Sequence, residues 1–86
     1  MMLNVSPNPS NSTTEVTLSE KADKTKKKDI QEIRIIDKMG TIKQTIRYGK
    51  GKQVVLLNVA SLPFDIYTIL AFDGKVWTAA KFIKNQ

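Results

Sequence analysis

The sequence predicts an all-β fold, an antiparallel β-sandwich or small barrel of about seven short strands. Three observations support this fold class. Apolar and polar residues alternate with a period of two, turn signals recur roughly every eight to twelve residues, and no segment combines helical periodicity with a convincing cap. The length of 86 residues fits one domain, which we place at residues 1–86. A domain this small holds one thin core and no sizeable ligand cavity.

The composition lacks the side chains on which most enzymes and metal sites depend. The chain contains no cysteine and no histidine, so it has no thiolate ligands, no disulfides and no imidazole base. We therefore expect no enzyme activity, no cofactor, and no catalytic or metal-binding residues. Eight carboxylates remain, most of them in predicted turns and loops where solvation explains them: Glu15, Glu20, Asp23, Asp29, Glu32, Asp37, Asp65 and Asp73.

The charge is positive and comes mainly from lysine. Fourteen Lys and Arg residues against eight acidic residues give a net charge of +6, and the only arginines are Arg34 and Arg47. Lysine favours solubility over bidentate recognition, in which arginine dominates. No apolar run approaches the length of a membrane span. Met1-Met2-Leu3 leads directly into the first strand, so we expect any export signal to belong to a longer precursor.

The first third of the chain predicts two strands and two irregular segments. Leu3 and Val5 alternate with polar residues, and the prolines of Pro7-Asn8-Pro9 then predict a turn, because they remove backbone donors that a sheet needs. In the strand 13–19, Val16 and Leu18 form the inward face. Residues 20–29 are polar and lysine-rich, and predict an exposed, mobile loop.

The middle of the chain predicts three more strands. In strand 30–37, Ile33 and Ile35 share one face, and Ile30 and Ile36 share the other. A turn at 38–40 leads to strand 41–48, whose alternation is typical of a sheet with one wet face and places these apolar residues on one side: Ile42, Ile46 and Tyr48. A turn is predicted at 49–51. The apolar run 54–57 then predicts either a strand covered on both sides or a switch between sheets.

The last part of the chain predicts a hairpin. Strand 64–72 is β-branched and aromatic, Asp73-Gly74 favours a two-residue type I′ turn, and the chain returns over 75–83. Trp77 shares its face with Lys75 and Lys81. We expect Trp77 to pack across the hairpin against Ile69 or Tyr67, whereas an exposed Trp77 would be a candidate contact residue.

The lysine cluster from Lys21 to Lys28 raises the question of phosphate or nucleic-acid binding. A single-strand-binding surface also needs aromatic residues interleaved with the charge, yet all aromatic residues of this chain lie beyond residue 47. Acidic residues within the cluster dilute its charge further. We therefore interpret the cluster as a solvated loop and expect no nucleic-acid partner.

Four segments resemble one family, the type A C-terminal sorting domain of type IX (Por) secretion cargo. They occur in the family's order and cover nearly the whole chain. The first three are similar to a Pro-Asn-Pro turn, a strand that ends in Asp-x-x-Gly, and a Leu-Pro signature followed by tyrosine. The fourth resembles a lysine-bearing terminal strand. The segments are Val5-Ser6-Pro7-Asn8-Pro9, Ile33 to Gly40, Val59 to Pro63 with Ile66-Tyr67, and Lys81-Phe82-Ile83-Lys84.

The resemblance implies an immunoglobulin-like sandwich that acts as an address for an exported protein. Its partners would be the secretion machinery and a cargo domain that precedes it, and its locations the periplasm in transit, then the cell surface or the medium. It implies a recognition surface between Lys75 and Gln86, with these residues as candidates: Lys75, Trp77, Lys81, Phe82, Ile83 and Lys84. Edge-strand pairing and a charged patch are both possible modes of contact.

An alternative from another class is an immunoglobulin-like adhesion or carbohydrate-binding accessory domain. It depends on Trp77 and Tyr67 lying together on a partly open sheet face. The sequence leaves the cargo, the receptor and the oligomeric state open.

Overall fold

The computed structural model describes residues 1–85 as two antiparallel β-sheets packed together, and Gln86 lies outside the described residues. Alternating side chains produce this fold because successive residues of an extended chain point to opposite faces. The all-β prediction is confirmed, with one two-residue strand more than the seven expected. Residues 1–85 contain no helix, and their strands are β1 (Met2–Ser6), β2 (Thr13–Ser19), β3 (Lys27–Lys28), β4 (Ile30–Asp37), β5 (Ile42–Lys52), β6 (Val54–Asn58), β7 (Asp65–Phe72) and β8 (Trp77–Lys84).

The first sheet contains β1, β2, β3 and β6, with β2 at its centre. One edge of β2 pairs with β1, and its other edge pairs with β6 and then with β3. The second sheet has the order β5-β4-β7-β8, so β5 and β8 are its edge strands. The chain crosses between the sheets after β3, β5 and β6, which gives the two-layer arrangement of an immunoglobulin-like sandwich.

The core lies between the sheets and is formed by the inward-facing alternate residues. Val16 and Leu18 of β2, and Ile33 and Ile35 of β4, are fully buried, so the predicted inward faces of these strands are confirmed. A fully buried large apolar side chain contributes about 1.5–3 kcal/mol to folding. Both sheets contribute to the 14 buried hydrophobic residues: Leu3, Val16, Leu18, Ile30, Ile33, Ile35, Val55, Leu57, Val59, Leu62, Tyr67, Ile69, Ala71 and Phe82.

Irregular pairing between β4 and β5 moves two isoleucines away from the faces that strict alternation predicts. Ile42 does not share a face with Ile46, because it pairs with Ile36 on the outer side of the sheet and is 49% exposed. Ile30 does not share the environment of Ile36 either, because it is fully buried. The register shift between Ile35 and Ile36 accounts for the position of Ile42, since an extra residue in β5 inverts the alternation of that strand beyond it. A second register shift lies between Ile30 and Glu32.

The turn predicted at residues 49–51 is wrong, because β5 continues through them to Lys52. Lys52 pairs with Ile30, which leaves residues 48–51 as a bulge opposite a single residue of β4. Gly51 has a φ of 78°, and a Cβ atom there would lie 2.9 Å from the Cβ atom of Asp29. Position 51 therefore needs glycine for its backbone conformation and for the close approach.

β6 marks a change of sheet, which confirms one of the two interpretations of the apolar run 54–57. β5 belongs to the second sheet, whereas β6 pairs with β2 in the first. Val55 and Leu57 are buried, but Val54 is 49% and Leu56 is 68% exposed. The alternative, a strand covered on both sides, is therefore wrong.

The turn between β4 and β5 is organised by one carboxylate. Asp37 Oδ1 accepts hydrogen bonds from the backbone N–H groups of Met39 and Thr41, each at 2.9 Å. Gly40 supplies the left-handed residue that the turn needs, with a φ of 88°. The Thr41 hydrogen bond is the main reason that the pKa of Asp37 lies below its usual value.

The turn between β7 and β8 is also organised by an aspartate carboxylate, but its backbone conformation differs from the predicted one. Asp73 Oδ1 accepts hydrogen bonds from the N–H groups of Lys75 and Val76 at 2.8 and 2.9 Å. The predicted type I′ turn at Asp73-Gly74 is wrong, since that turn needs two successive residues with positive φ. Among residues 73–76, only Gly74 has one.

The lysine-rich segment 20–29 is exposed, as predicted, with no buried residue. It is nevertheless partly ordered by pairing, because Lys27–Lys28 form β3 at the edge of β2. Asp23 Oδ1 accepts hydrogen bonds from the hydroxyl and the N–H group of Thr25, at 2.6 and 3.0 Å, and these bonds lower the pKa of Asp23. The mobility of the segment stays a prediction.

Tyr67 anchors the crossing into β7. Its side chain is 2% exposed, and its hydroxyl donates a hydrogen bond to the carbonyl oxygen of Pro63 at 2.7 Å. Leu62, which directly precedes Pro63, packs into the core. Burial, followed by two nearby carboxylates, raises the pKa of Tyr67. A tyrosine at a strand start that bonds a few residues upstream is a recurrent feature of immunoglobulin-like sandwiches.

Candidate recognition surface

Four of the six predicted recognition residues lie on the surface. The odd-numbered residues of β8 point to the outer side of the second sheet, where Trp77, Lys81 and Ile83 are exposed. Trp77 is 40% and Ile83 is 39% exposed. Lys75 is exposed in the turn that precedes the strand. The structure thus brings these four side chains to one strand and its entrance, where a partner can reach them.

The other two predicted recognition residues, Phe82 and Lys84, point into the sandwich. Phe82 is fully buried and pairs in register with Tyr67. Lys84 is 4% exposed, and its Nζ atom donates a hydrogen bond to the carbonyl oxygen of Asn85 at 2.7 Å. Both side chains therefore stabilise the folded strand from within. Gln86, the last residue of the predicted segment, lies outside the described residues.

Trp77 packs across the hairpin, but not against the residues expected. Ile69 and Tyr67 are buried on the inner face, whereas Trp77 lies on the outer face. Its register partner is Phe72, and the two rings stack with centroids 4.9 Å apart at 27°. The guanidinium carbon of Arg34 lies 4.6 Å from the centre of the tryptophan ring. Trp77 therefore packs against Phe72 and Arg34 and keeps part of its ring exposed to solvent.

Two arginines on the outer side of the second sheet share one carboxylate, that of Glu32. Arg34 Nε lies 2.7 Å from one carboxylate oxygen of Glu32, and Arg47 Nε lies 3.4 Å from the other. The carboxylate is only 14% exposed, whereas the side chains of Arg34 and Arg47 are 36% and 73% exposed. The shared carboxylate is therefore covered, and the surface presents positive charge to solvent.

The segment after β1 clamps the outer edge of β8. The side chain of Asn8 donates a hydrogen bond to the carbonyl oxygen of Lys81 at 2.9 Å and accepts one from the N–H group of Ile83 at 3.0 Å. Ser10 continues the clamp through its backbone, donating to the Ile83 carbonyl at 3.1 Å and accepting from the Asn85 N–H at 2.8 Å. These four bonds satisfy the edge of β8 from residue 81 to residue 85.

Sequence reasoning predicted a turn at Pro7-Asn8-Pro9 but missed its contact with β8. One signal could have suggested a clamp. The two prolines have no backbone N–H, so the amide side chain of Asn8 is the group best able to imitate a strand's donor and acceptor pair. Closer to the N-terminal end of β8, the outward backbone groups of Trp77 and Ala79 have no paired strand within the described chain.

Three further features complete the description of residues 1–85. No group of acidic side chains is arranged there to hold a metal ion. That part of the chain also has no helix with the length and apolar character needed to cross a membrane. An open pocket of about 240 Å³ lies at the β5 bulge, lined by Gln31, Glu32, Arg47, Tyr48, Gly49 and Phe72.

The chain matches a known protein family. Residues 4–85 match the family model described as "Secretion system C-terminal sorting domain", which covers nearly the whole chain. The matched range includes the Asn8 clamp, the Asp37 turn, the Tyr67 anchor and all of β8. No curated protein matches the chain.

Proposed function

The chain belongs to the secretion system C-terminal sorting domain family, and we propose that the secretion machinery recognises it by the four exposed side chains Lys75, Trp77, Lys81 and Ile83. Membership of this family identifies a sorting module for type IX secretion. Such a module implies export of the protein that carries it to the cell surface or beyond. In this proposal the module acts by being bound and performs no catalytic step.

The observation that carries the proposal is the division of β8 into a buried and an exposed face. Phe82 and Lys84 secure the strand, while its outer side chains remain accessible. Aromatic residues with a wet edge are enriched at protein interfaces, which suits Trp77. Lys75 and Lys81 add charge that can steer an encounter and determine its orientation.

The Asn8 clamp favours contact by side chains over strand addition along residues 81–85. A partner strand there would have to displace bonds already made by Asn8 and Ser10. Of the two modes of contact that the sequence leaves open, a charged and aromatic patch is therefore the better supported one.

We also propose a route for the protein that carries the module. The secretion machinery would bind the module after the precursor reaches the periplasm, and the module would be removed when its cargo is attached to the cell surface. The cargo would be a domain N-terminal to β1. The support for this route is the family match over residues 4–85.

The adhesion or carbohydrate-binding alternative loses the feature that motivated it. That hypothesis needs Trp77 and Tyr67 on the same open sheet face. Tyr67 is buried on the inner face and bonded to Pro63, whereas Trp77 lies on the outer face. No comparison supports this alternative either.

The proposal is tested by secretion of a reporter fused to the N-terminus of the module in a host that has type IX secretion. The double variant K75S/K81S removes two exposed ammonium groups and leaves the core intact. We expect about a tenfold fall in extracellular reporter, because a few residues usually carry most of the energy of an interface. The matched control is K24S/K26S, which removes two exposed lysines from the segment 20–29.

A folded state has to be verified for each variant by circular dichroism and thermal unfolding. The variant Phe82→Ala shows what misfolding does to the assay, because it truncates a fully buried ring at a cost of about 3–5 kcal/mol. Equal secretion of K75S/K81S, K24S/K26S and the parent fusion would remove the lysines from the recognition surface. Retention of the parent fusion in the periplasm would overturn the proposed function itself.

A further inference from the structure

The solvent side of the second sheet is unusually apolar for the outside of a sandwich. Outward positions of such sheets are ordinarily polar, since only one face packs on the core. Here Ile42 and Ile66 are each 49% exposed, in addition to Trp77 and Ile83 of β8. We use the name outer apolar face for these eight residues: Ile36, Ile42, Ile66, Leu70, Phe72, Trp77, Ala79 and Ile83.

The outer apolar face has members on all four strands, with Thr68 and Lys81 between them. Residues directly opposite each other in an antiparallel pair have Cβ atoms about 4.5–5.5 Å apart, so their side chains touch. Between β4 and β7, Ile36 is opposite Thr68 and has Ile66 and Leu70 as diagonal neighbours, which at about 7–8 Å remain within reach of long side chains. Within β4–β5 and β7–β8, the register places members of the face directly opposite one another. The pairs are Ile36 with Ile42, Ile66 with Ile83, Leu70 with Ala79, and Phe72 with Trp77.

The first sheet does not share this character along β1 and β2. Asn4 Nδ2 lies 3.4 Å from Thr17 Oγ1 and 3.2 Å from Ser19 Oγ, so polar groups bond to one another there. The exposed apolar residues of that sheet are Val54 and Leu56, both on β6. They lie on the opposite side of the molecule from the outer apolar face and therefore provide a matched control surface.

Positive charge surrounds and interrupts the outer apolar face. Arg34 lies over Trp77, Arg47 lies on the edge strand β5 opposite Glu32, and Lys81 is opposite Thr68. Glu32, the carboxylate that the two arginines share, is only 14% exposed. A partner therefore meets apolar groups together with guanidinium and ammonium groups.

This chemistry selects one class of occupant. A second copy of the chain would bring the same positive groups together, on a molecule whose net charge is already +6. A lipid surface would have to accommodate Glu32 and the threonines of the sheet in hydrocarbon, which is costly. A protein surface with apolar residues at its centre and carboxylates opposite Arg34, Arg47 and Lys81 satisfies both components.

We propose that the outer apolar face is the docking surface for an acidic, partly apolar protein partner, so that the recognition surface extends from β8 across to β5. This inference rests on the proposed function and names the chemistry of the partner. Its specific consequence is that residues outside the terminal strand, Ile42 on the opposite edge strand β5 and Ile66 on β7, contribute to recognition.

The test uses the same reporter fusion with the double variant I42T/I66T. Both positions are 49% exposed, and threonine keeps the β-branched shape that strands favour, so we expect the fold to persist. The matched control is V54T, because Val54 is also 49% exposed but lies on the first sheet. We expect extracellular reporter to fall at least tenfold for I42T/I66T and less than twofold for V54T.

The outcomes distinguish the extended face from recognition by β8 alone and from lipid binding. Normal secretion of folded I42T/I66T, with K75S/K81S still defective, would overturn the extended face and leave recognition by β8 in place. Failure of the parent fusion would overturn the proposed function and this inference with it. Cosedimentation of the parent module with vesicles of one part phosphatidylglycerol to three parts phosphatidylcholine, abolished by I42T/I66T, would assign the face to lipid and overturn the protein partner.

Discussion

Asn8 and Ile83 are 75 positions apart in the chain, yet the side-chain oxygen of Asn8 accepts a hydrogen bond from the backbone N–H of Ile83 at 3.0 Å. The amide nitrogen of the same side chain donates to the carbonyl of Lys81. The side chain of Asn8 therefore gives the edge of β8 one donor and one acceptor, as the backbone of a neighbouring strand would. Edge strands with unpaired backbone groups invite aggregation, and this contact protects part of one.

Replacing Asn8 should loosen β8 without touching the core. We expect Asn8→Ala to lower the free energy of unfolding by about 1–2 kcal/mol, because it removes two hydrogen bonds at a largely exposed site. Asn8→Asp keeps the acceptor for Ile83 and loses the donor for Lys81, so its loss should be smaller. Urea unfolding measures both. Asn11→Ala, at an exposed neighbouring position, is the control, and an equal midpoint for the two alanine variants would contradict the clamp.

The hydroxyl of Tyr67 should stabilise the crossing between the sheets. Tyr67→Phe removes its hydrogen bond to Pro63 and leaves the ring in the core, so we expect a loss of about 1 kcal/mol. Tyr48→Phe is the matched control, because the Tyr48 hydroxyl makes no hydrogen bond to the described residues. The two variants are compared by thermal unfolding. A larger effect at Tyr48 than at Tyr67 would refute the anchoring role.

Two glycines in β5 should differ in their sensitivity to the same substitution. Gly51→Ala places a Cβ atom 2.9 Å from that of Asp29 and strains a φ of 78°, so we expect a loss of at least about 1–2 kcal/mol. At Gly49 a Cβ atom would meet nothing within 4 Å, and its φ is not positive. Gly49→Ala should therefore be close to neutral. Urea midpoints that coincide would show that the bulge can rearrange.

Acid should destabilise the module partly through Asp37. Hydrogen bonds to its carboxylate, above all from the Thr41 N–H, hold the pKa of Asp37 below its usual value of 3.8. A lowered pKa in the folded state means stabilisation that is present above pH 3.8 and is lost as the pH falls through the folded pKa. Asp37→Asn should therefore flatten the decline in stability between about pH 5 and pH 2.

The measurement for Asp37 is the urea midpoint across that pH range. Glu15→Gln serves as the control, because Glu15 lies exposed on β2 and makes no ion pair within the described chain. The Asp37 hypothesis fails when D37N and E15Q leave equally steep declines. Asp73 resembles Asp37, because a hydrogen bond from a backbone N–H, that of Val76, is the main cause of its lowered pKa.

Alternation was sufficient to predict the inward faces of β2 and β4, because a half-buried strand repeats with the period of its backbone. Val16, Leu18, Ile33 and Ile35 all lie where this period places them. The Asp37 turn was also predictable, since Gly40 and a preceding aspartate form a local unit. What these successes share is that the deciding interactions lie within a few residues of one another in sequence.

The errors came from interactions that the local pattern does not contain. A bulge places Ile42 on the outer side of the sheet, and the alternation of residues in strand 41–48 gives no sign of an extra residue. Phe82 and Lys84 were proposed as recognition residues from a terminal motif, which does not distinguish buried from exposed positions; both side chains are buried, and their part in recognition stays a prediction. The Asn8 contact with β8 joins segments 73 and 75 positions apart, so only the assembled fold reveals it.

That long separation governs when the molecule can finish folding. During synthesis, Asn8 emerges about 75 residues before its partners on β8, which at about 5–20 residues per second is a delay of about 4–15 s. Contacts that join distant parts of a chain also slow folding because a large loop must close first. For those seconds Asn8 and Ser10, which follow β1, have no β8 edge to bond, and the sandwich stays open. A polypeptide in that condition is one that a chaperone can bind or a translocation pore can thread.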